Sequence, residues 1–464
     1  MSAPPMSRAA ARSGFIHRRR RGAELVLLLM SLAVGVGGYA AVGLGVDGEV
    51  PADIIGYGGW LAALVLACHL VIRWTAPYAD PVLLPIVSAL NGLGLAMIYR
   101  IDQANGGSLA AQQLTWMTVG VVLFIVVLLT LQDHRRLQAF TYTSGLAAIV
   151  LLLLPLMPGI GTEIRGARIW ISVAGFSFQP GEVAKVLLVI AFAGYLVLHR
   201  DALALAGRRL LFIDLPRGRD LGPILGMWLI SLGILVFQRD LGSSLLFFGL
   251  FLVMLYIATE RPGWIVVGAL MFLGGAALAY QLFGHVRTRV LVWLDPFGYD
   301  SGYQVIQAMY GMAWGGLVGR GWGLGDPMQT PVRESDFIVA ALGEELGLTG
   351  VIAIILLYAL VVERGLRTAL VCRDAFGKLV ASGLALVLAL QVFVIIGGVT
   401  KLIPLTGLTT PFLSYGGSSL VANWVIIALL LRISDQARRP LPDFGTHGPG
   451  DDSGDDATQV VRMR

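Results

Sequence analysis

Residues 378–400 read KLVASGLALVLALQVFVIIGGVT, an apolar stretch in which Lys378 is the one charged side chain. A helix rises about 1.5 Å per residue, so the stretch is long enough to cross the roughly 30 Å hydrocarbon core of a bilayer. Backbone polar groups inside hydrocarbon must be satisfied within the segment, which favours a helix over an open strand. The stretch therefore predicts a transmembrane helix.

Apolar stretches of similar length recur along the chain, at 22–44, 55–74, 81–99, 114–131, 141–158, 182–198, 221–237, 241–258, 263–282, 339–362 and 413–431. Apolar residues make up 56% of the sequence, charged residues make up 14%, and the mean hydropathy is +0.77. This balance excludes a water-soluble globular domain. We predict an all-α polytopic membrane protein with about 12 transmembrane helices.

The distribution of Lys and Arg predicts the orientation of these helices. Basic runs occur at 18–21, 135–136, 200–219 and 364–373, which fall on one side if the amino terminus is cytoplasmic. Both termini are then cytoplasmic, and the long loop 283–338 between the ninth and tenth helices faces outward. Because the basic residues sit in loops of a membrane protein, the net charge of +5 does not indicate nucleic-acid binding.

Charged residues on the predicted outer face are informative, because each charge near the bilayer costs insertion free energy. In SFQPGEVAK (177–185), Pro180 suits the first turn of a helix. Glu182 and Lys185 then fall three residues apart on one helix face. The pair is explained either by a local ion pair at a helix start or by a functional site.

Three other outer segments carry candidate residues. Asp240 lies in QRDLG (238–242), and Asp336 precedes the predicted tenth helix in PVRESDFI (331–338). Either aspartate is explained by helix capping as well as by function. Lys401 opens a segment broken by Gly and Pro, which is typical of chain that lines a cavity at membrane depth.

Cations accumulate on the predicted outer face, namely Arg165, Arg168, Lys185, Arg239, Arg287, Arg289, Arg333 and Lys401. Arg in particular binds phosphate groups through paired, charge-assisted hydrogen bonds. The pattern predicts an anionic lipid headgroup such as a pyrophosphate. The HExxH, CxxC, Walker, GxSxG and Rossmann patterns do not occur in a plausible context, which disfavours ATP-driven transport and hydrolase chemistry.

Several long motifs carry a family resemblance: GARIWI (166–171), SFQPGEVAK (177–185), QRDLG (238–242), SDFIVAALGEELG (335–347) and PLTGLTTPFLSYGGSS (404–419). In this order they resemble the SEDS family of RodA, FtsW and SpoVE, and the last motif most resembles the actinobacterial RodA type. The resemblance implies a ten-helix SEDS core. The expected organisation is a basic cytoplasmic segment at 1–21, two additional helices at 22–80, the core at 81–434 and a disordered cytoplasmic tail at 435–464.

The resemblance also implies a function. It implies peptidoglycan glycosyltransferase activity on lipid II, the undecaprenyl-pyrophosphate-linked disaccharide peptide, at the outer face of the bacterial cytoplasmic membrane during cell elongation. It further implies a class B penicillin-binding protein as transpeptidase partner, together with the elongation machinery. Asp336 matches the family's presumed catalytic aspartate. The residues expected to bind substrate are Arg168, Trp170, Glu182, Lys185, Asp240 and Lys401.

Two alternatives stay open from the residues alone. A flippase for lipid-linked precursors also suits many spans, intramembrane charges and broken helices. A non-catalytic scaffold that activates a partner enzyme is the other alternative. The charges gather at the outer boundary, which favours chemistry at the membrane surface. Pyrophosphate chemistry admits a divalent cation, but the sequence shows no defined ligand set for one.

Overall fold

The computed structural model describes residues 19–440, apart from 165, 174–175, 201–207, 211–212 and 216–217. Most of the predicted basic segment 1–21 and most of the predicted tail 435–464 lie outside the described residues. Within the described part, fourteen helices account for most of the chain.

Eleven segments of the described chain are long and apolar enough to cross a membrane. They contain helices α1 Arg21–Val46, α2 Ile54–Thr75, α3 Leu83–Asn105, α4 Leu109–Thr130, α5 Thr141–Leu153 with its flanking 3₁₀ turns, α6 Pro180–Leu198, α8 Leu241–Thr259, α9 Gly263–Leu282, α12 Ile338–Val371, α13 Ala375–Val399 and α14 Gly417–Arg438. The remaining predicted span, 221–237, falls on α7, Gly218–Phe237, whose apolar part, Gly222–Phe237, is shorter than those of the other eleven. The prediction of an all-α polytopic membrane protein is confirmed.

Small residues set how closely the helices pack. A methyl group on Gly92 of α3 would lie 2.6 Å from the Cα atom of Gly35 of α1, so the two backbones meet where neither residue has a side chain. Helices α3 and α14 are largely buried in the bundle, whereas α9 is almost entirely exposed at its periphery. The additional amino-terminal helix α1 is thus packed directly on the first helix of the predicted core.

The chain before α6, outside the predicted spans, contains a small sheet. Strands β1 Gly161–Ile164, β2 Ala167–Val173 and β3 Phe176–Phe178 form an antiparallel sheet in chain order. Thr162 pairs with Trp170, and Ile171 pairs with Phe178. Aromatic and β-branched residues favour this pairing. A second antiparallel pair, β4 Arg208–Leu210 and β5 Ile213–Leu215, lies between α6 and α7.

The long loop 283–338 has secondary structure of its own, in helices α10 Gly284–Leu294 and α11 Tyr303–Gly315. Its Gly-rich turn is held by two glutamates of α12. The Asp326 amide donates to Glu344 Oε1 at 2.6 Å, and the Gly323 amide donates to Glu345 Oε2 at 3.2 Å. Arg100 of α3 donates to Glu345 Oε1 at 2.9 Å. These bonds fix the loop against the bundle.

The last helix extends beyond the predicted end of the core at residue 434, because α14 continues to Arg438. Asp435 is buried and accepts hydrogen bonds from the Tyr78 amide at 2.8 Å and from Arg439 at 2.7 Å. The prediction that disorder begins at 435 is therefore wrong for residues 435–438, since tertiary contacts stabilise this last turn.

Candidate functional site

A cavity of about 680 Å³ opens where α6 and α12 begin and α13 ends. Its walls come from the three-stranded sheet, the start of α6, helix α10, the entry to α12 and the broken segment between α13 and α14. Four of the predicted site residues line it, namely Trp170, Glu182, Asp336 and Lys401. Residues far apart in sequence therefore meet in one place.

Asp336 is half-buried on the cavity wall and is not the N-cap residue of α12. The helix begins at Ile338, its cap position is Phe337, and no side chain makes a capping hydrogen bond there. Ser335 Oγ donates to Asp336 Oδ1 at 3.1 Å. The capping alternative for this aspartate is thus not supported, and its carboxylate faces a space that admits a substrate.

The segment between α13 and α14 fixes the backbone around Asp336. Ser414 Oγ donates to the Ser335 carbonyl at 2.6 Å, and the Tyr415 amide donates to the Glu334 carbonyl at 2.8 Å. Gly407, at φ +78°, lies opposite: a methyl group there would be 3.7 Å from Asp336 Oδ2. These contacts hold the aspartate at the junction of two outer segments.

Arg289 of α10 is one of the outer cations but is not among the predicted site residues, and in the structure it lines the cavity. Its Nη1 donates to the carbonyls of Leu405 at 3.1 Å and Thr406 at 2.7 Å. A methyl group on Gly407 would be 3.8 Å from Arg289 Nη2, so the guanidinium and the Asp336 carboxylate face the same glycine.

The electrostatics of Arg289 connect it to two carboxylates. Burial lowers the pKa of Arg289, whereas Asp240 and Asp336 raise it. Arg289 and Trp293 are four residues apart on α10, which places them on one helix face, and both line the cavity. Trp293 Nε1 donates to the Lys401 carbonyl at 3.0 Å, and this bond ties α10 to the chain after α13.

Lys401 lies in the left-handed region, at φ +62°, immediately after Thr400, the C-cap of α13. This conformation is uncommon for a residue with a side chain, and it turns the chain back along the cavity. The Lys401 amide donates to the Gly398 carbonyl at 3.2 Å. Lys401 thus supplies the site with a second cation from a different element than Arg289.

Glu182 and Lys185 form a buried ion pair at the start of α6, with exposed fractions of 5% and 2%. Lys185 Nζ is 2.5 Å from Glu182 Oε2 and donates to Gln391 Oε1 at 2.9 Å, and Gln391 Nε2 donates to the Thr409 carbonyl at 2.9 Å. Glu182 lines the cavity but Lys185 does not. Lys185 therefore neutralises Glu182 and joins it to the opposite wall.

The remaining predicted residues differ in position. Trp170 presents its side chain to the cavity from β2. Arg168 is exposed and does not line the cavity, and its amide donates to the Gln238 carbonyl at 3.1 Å. Asp240 caps α8 by accepting from the Ser243 amide at 2.9 Å, as the capping alternative predicted. Burial raises the pKa of Asp240, and Ser243 and Arg289 oppose this shift.

Comparisons with known proteins agree with this architecture. A family model described as FtsW, RodA and SpoVE cell cycle protein matches residues 81–439. Peptidoglycan glycosyltransferase RodA of Mycobacterium bovis is 49% identical over 431 residues, which cover 91% of this chain and 92% of that protein. The RodA protein of Mycobacterium leprae is 48% identical over 431 residues, with the same coverage of both chains.

A solved structure, described as the structural coordination of polymerization and crosslinking by a peptidoglycan synthase complex, contains a chain with the same fold. Its sequence is 29% identical, its TM-score is 0.63, and the match covers 77% of this chain and 98% of that one. The family model and the mycobacterial relatives each cover well over two thirds of the present sequence. The chain therefore belongs to the SEDS family of FtsW, RodA and SpoVE proteins.

Proposed function

We propose that this chain is a peptidoglycan glycosyltransferase that polymerises lipid II into glycan strands. The observation that carries the proposal is the cavity in which the Asp336 carboxylate faces the same backbone position as the Arg289 guanidinium. The 49% identity to proteins named peptidoglycan glycosyltransferase RodA supports it.

The reaction needs one displacement. The acceptor hydroxyl attacks the anomeric carbon of the donor sugar, a new glycosidic bond forms, and the bond from that carbon to the pyrophosphate oxygen breaks. An α-linked sugar pyrophosphate becomes a β-linked glycan, so the configuration inverts in a single step. Asp336 is the residue proposed to take the hydroxyl proton as the general base.

Cations take the place of a general acid at the leaving group. Pyrophosphate leaves as an anion, so fixed positive charge near its oxygens stabilises the transition state. Arg289 and Lys401 line the cavity and are the cations proposed for this role. The Arg289 guanidinium is already oriented by two backbone carbonyls. Trp170 offers an aromatic face for a sugar or an isoprenoid segment.

We further propose a class B penicillin-binding protein and the elongation machinery as partners. The structural neighbour is part of a complex that combines polymerisation with crosslinking. A transpeptidase that crosslinks new strands needs its substrate close to the polymerase. The identity to RodA relatives favours elongation over division.

The proposed orientation places both termini in the cytoplasm and the cavity outside. It is supported by basic residues at the end of the bundle opposite the cavity, such as Arg135, Arg136, Arg364 and Arg373. Both native cysteines are buried, so they are poor sites for labelling.

Engineered cysteines test the orientation. In a background with Cys68→Ser and Cys372→Ser, we expect an impermeant maleimide to label Asp300→Cys in intact cells. Arg136→Cys should react only after the membrane is permeabilised, because the reagent cannot cross the bilayer. Both native side chains are exposed, so access is limited by the membrane and not by packing. The reverse labelling pattern would contradict the orientation.

The activity itself is tested with purified protein and lipid II, with and without a transpeptidase-inactivated partner. Polymer of increasing length on gels is the expected product. Movement of lipid II across a vesicle membrane without polymer would instead support the flippase. Polymer that disappears when the partner alone is changed, but not when Asp336 is changed, would support the scaffold.

Lys401 lines the cavity and Arg168 does not, so we expect substitutions at these two positions to have different effects. Lys401→Ala should lower kcat/KM about tenfold to a hundredfold, which matches the roughly 1.5–3 kcal/mol of a hydrogen bond to a charged group. Arg168→Ala should have a smaller effect, since its side chain is exposed to solvent and does not line the cavity. Steady-state kinetics with lipid II measure both, and a larger loss for Arg168→Ala would reassign the two roles.

A further inference from the structure

A second cluster of reactive side chains lies at the opposite end of the bundle. His134 begins the 3₁₀ turn before α5, while Cys372 and Asp374 form the turn between α12 and α13. His134 Nε2 is 2.9 Å from Asp374 Oδ2, and Cys372 Sγ is 3.4 Å from the same oxygen. The three donor atoms all lie within 4.8 Å of one another.

These atoms converge on a space that only glycine leaves open. A methyl group on Gly377 would lie 2.3 Å from His134 Nε2, 2.7 Å from Cys372 Sγ and 3.0 Å from Asp374 Oδ2. Gly377 is in the first turn of α13 and has ordinary helical geometry, so backbone conformation does not require a glycine there. The missing side chain keeps the donor atoms accessible to one another.

We propose that His134, Cys372 and Asp374 form a binding site for a divalent transition-metal ion of the zinc class. An imidazole, a thiolate and a carboxylate are ligands that Zn²⁺ accepts, with a water molecule as the fourth ligand. Bonds of about 2.0–2.3 Å place tetrahedral ligands roughly 3–4 Å apart. The separations from Asp374 Oδ2 to His134 Nε2, 2.9 Å, and to Cys372 Sγ, 3.4 Å, are close to that range, so small side-chain rotations suffice.

The surroundings of the cluster provide the outer contacts of such a site. Asp374 Oδ1 accepts from the Gly377 amide at 2.6 Å, which orients Oδ2 toward the histidine and the cysteine. His134 Nδ1 is buried, has no hydrogen-bond partner among the described residues, and is 3.9 Å from Asp133 Oδ1. A carboxylate beside the second nitrogen is the usual means of orienting a metal-bound imidazole.

Arg135 is the competing cation. Its Nε is 3.6 Å from Asp374 Oδ2, and its side chain is 59% exposed. An exposed arginine loses little by turning toward solvent, because surface ion pairs contribute about 0–1 kcal/mol. A bound metal ion therefore replaces Arg135 as the charge opposite Asp374.

The site is separate from the proposed polymerase cavity. Helix α13 has 25 residues, so its two ends are roughly 37 Å apart, and the cluster and Lys401 lie at opposite ends. In the proposed orientation the metal ion is on the cytoplasmic side. It would join the turn before α5 to the turn between α12 and α13, and the proposal does not depend on the enzymatic activity.

The test uses tag-free, full-length protein in detergent after removal of metals by a chelator. We expect one Co²⁺ per chain with a thiolate-to-cobalt charge-transfer band, and displacement of Co²⁺ by Zn²⁺. Cys372→Ser should remove that band and weaken Zn²⁺ binding at least tenfold. Cys68→Ser is the matched control and should keep both, since Cys68 is buried within α2.

A second variant distinguishes loss of the metal site from misfolding of the protein. Asp374→Asn keeps a side chain that can cap α13 but loses the charge, so it should weaken Zn²⁺ binding while the protein elutes as a monodisperse peak. Wild-type protein that binds less than about 0.1 equivalent of Co²⁺ would overturn the proposal. Cobalt bound without a thiolate band, or equal Zn²⁺ affinity in wild type and Cys372→Ser, would overturn it as well.

Discussion

Asp336→Asn is expected to lower the rate of lipid II polymerisation by about 10²–10⁴-fold, the range usual for loss of a general base. The carboxamide keeps the size of the side chain and can still accept a hydrogen bond from Ser335 Oγ, but it cannot take a proton at neutral pH. The rate of glycan synthesis from lipid II by purified protein is the measurement.

Loss of a helix cap would be the main structural explanation for an inactive Asp336→Asn variant. The N-cap residue of α12 is Phe337, so substitution of Asp336 leaves the capping position of that helix unchanged. Unchanged extraction yield and thermal stability are expected alongside the loss. Asp300→Asn, in the same outer loop with an exposed side chain, is the matched control and should retain activity.

A fast Asp336→Asn enzyme would exclude this residue as the base. Glu182 would then be the next candidate, because its carboxylate also lines the cavity. Its carboxylate is engaged in the buried ion pair with Lys185, so it is less available to an acceptor hydroxyl.

Arg289→Ala is expected to lower kcat by about 10²–10³-fold, as is typical when one donor to a developing negative charge is removed. Arg289→Lys should recover part of the activity, because it restores the charge but not the planar, forked geometry. Kinetics that separate kcat from KM are needed, since a cation acting on the leaving group mainly changes kcat.

Arg287→Ala is the matched control for this variant. Arg287 lies two residues earlier on α10, with its side chain exposed, stacks on Tyr280 at 5.9 Å and does not line the cavity. Arg289 also holds the carbonyls of Leu405 and Thr406, so a purely structural role has to be distinguished. A loss confined to KM, or equal losses in Arg289→Ala and Arg289→Lys, would contradict a role at the leaving group.

The local site chemistry was only partly predictable. Motifs point to Asp336, Trp170 and Glu182, and a segment broken by Gly and Pro points to Lys401; all four line the cavity. Arg289 is outside the predicted site because the sequence around a loop arginine does not show which distant groups it contacts. Lys185 and Asp240 were included by motif, yet one neutralises Glu182 and the other caps a helix, since motif matching does not show which way a side chain points.

The sequence by itself determined the membrane-spanning architecture. Hydrocarbon requires long apolar helices whose backbone bonds are internal, so spans such as Gly263–Leu282 can be found from composition alone. Composition does not predict the sheet of β1–β3, the helices inside the loop 283–338, or the last turn of α14. These elements depend on contacts with partners elsewhere in the chain.

Only the tertiary structure decided which distant residues share a site. Asp336 and Arg289 face the same glycine because both are held by the segment between α13 and α14: Ser414 Oγ donates to the Ser335 carbonyl, and Arg289 donates to the Leu405 carbonyl. His134 and Asp374 are 240 residues apart, and their contact arises because the turn before α5 packs against the start of α13. Side-chain convergence of this kind is a property of helix packing, which no local pattern in the sequence encodes.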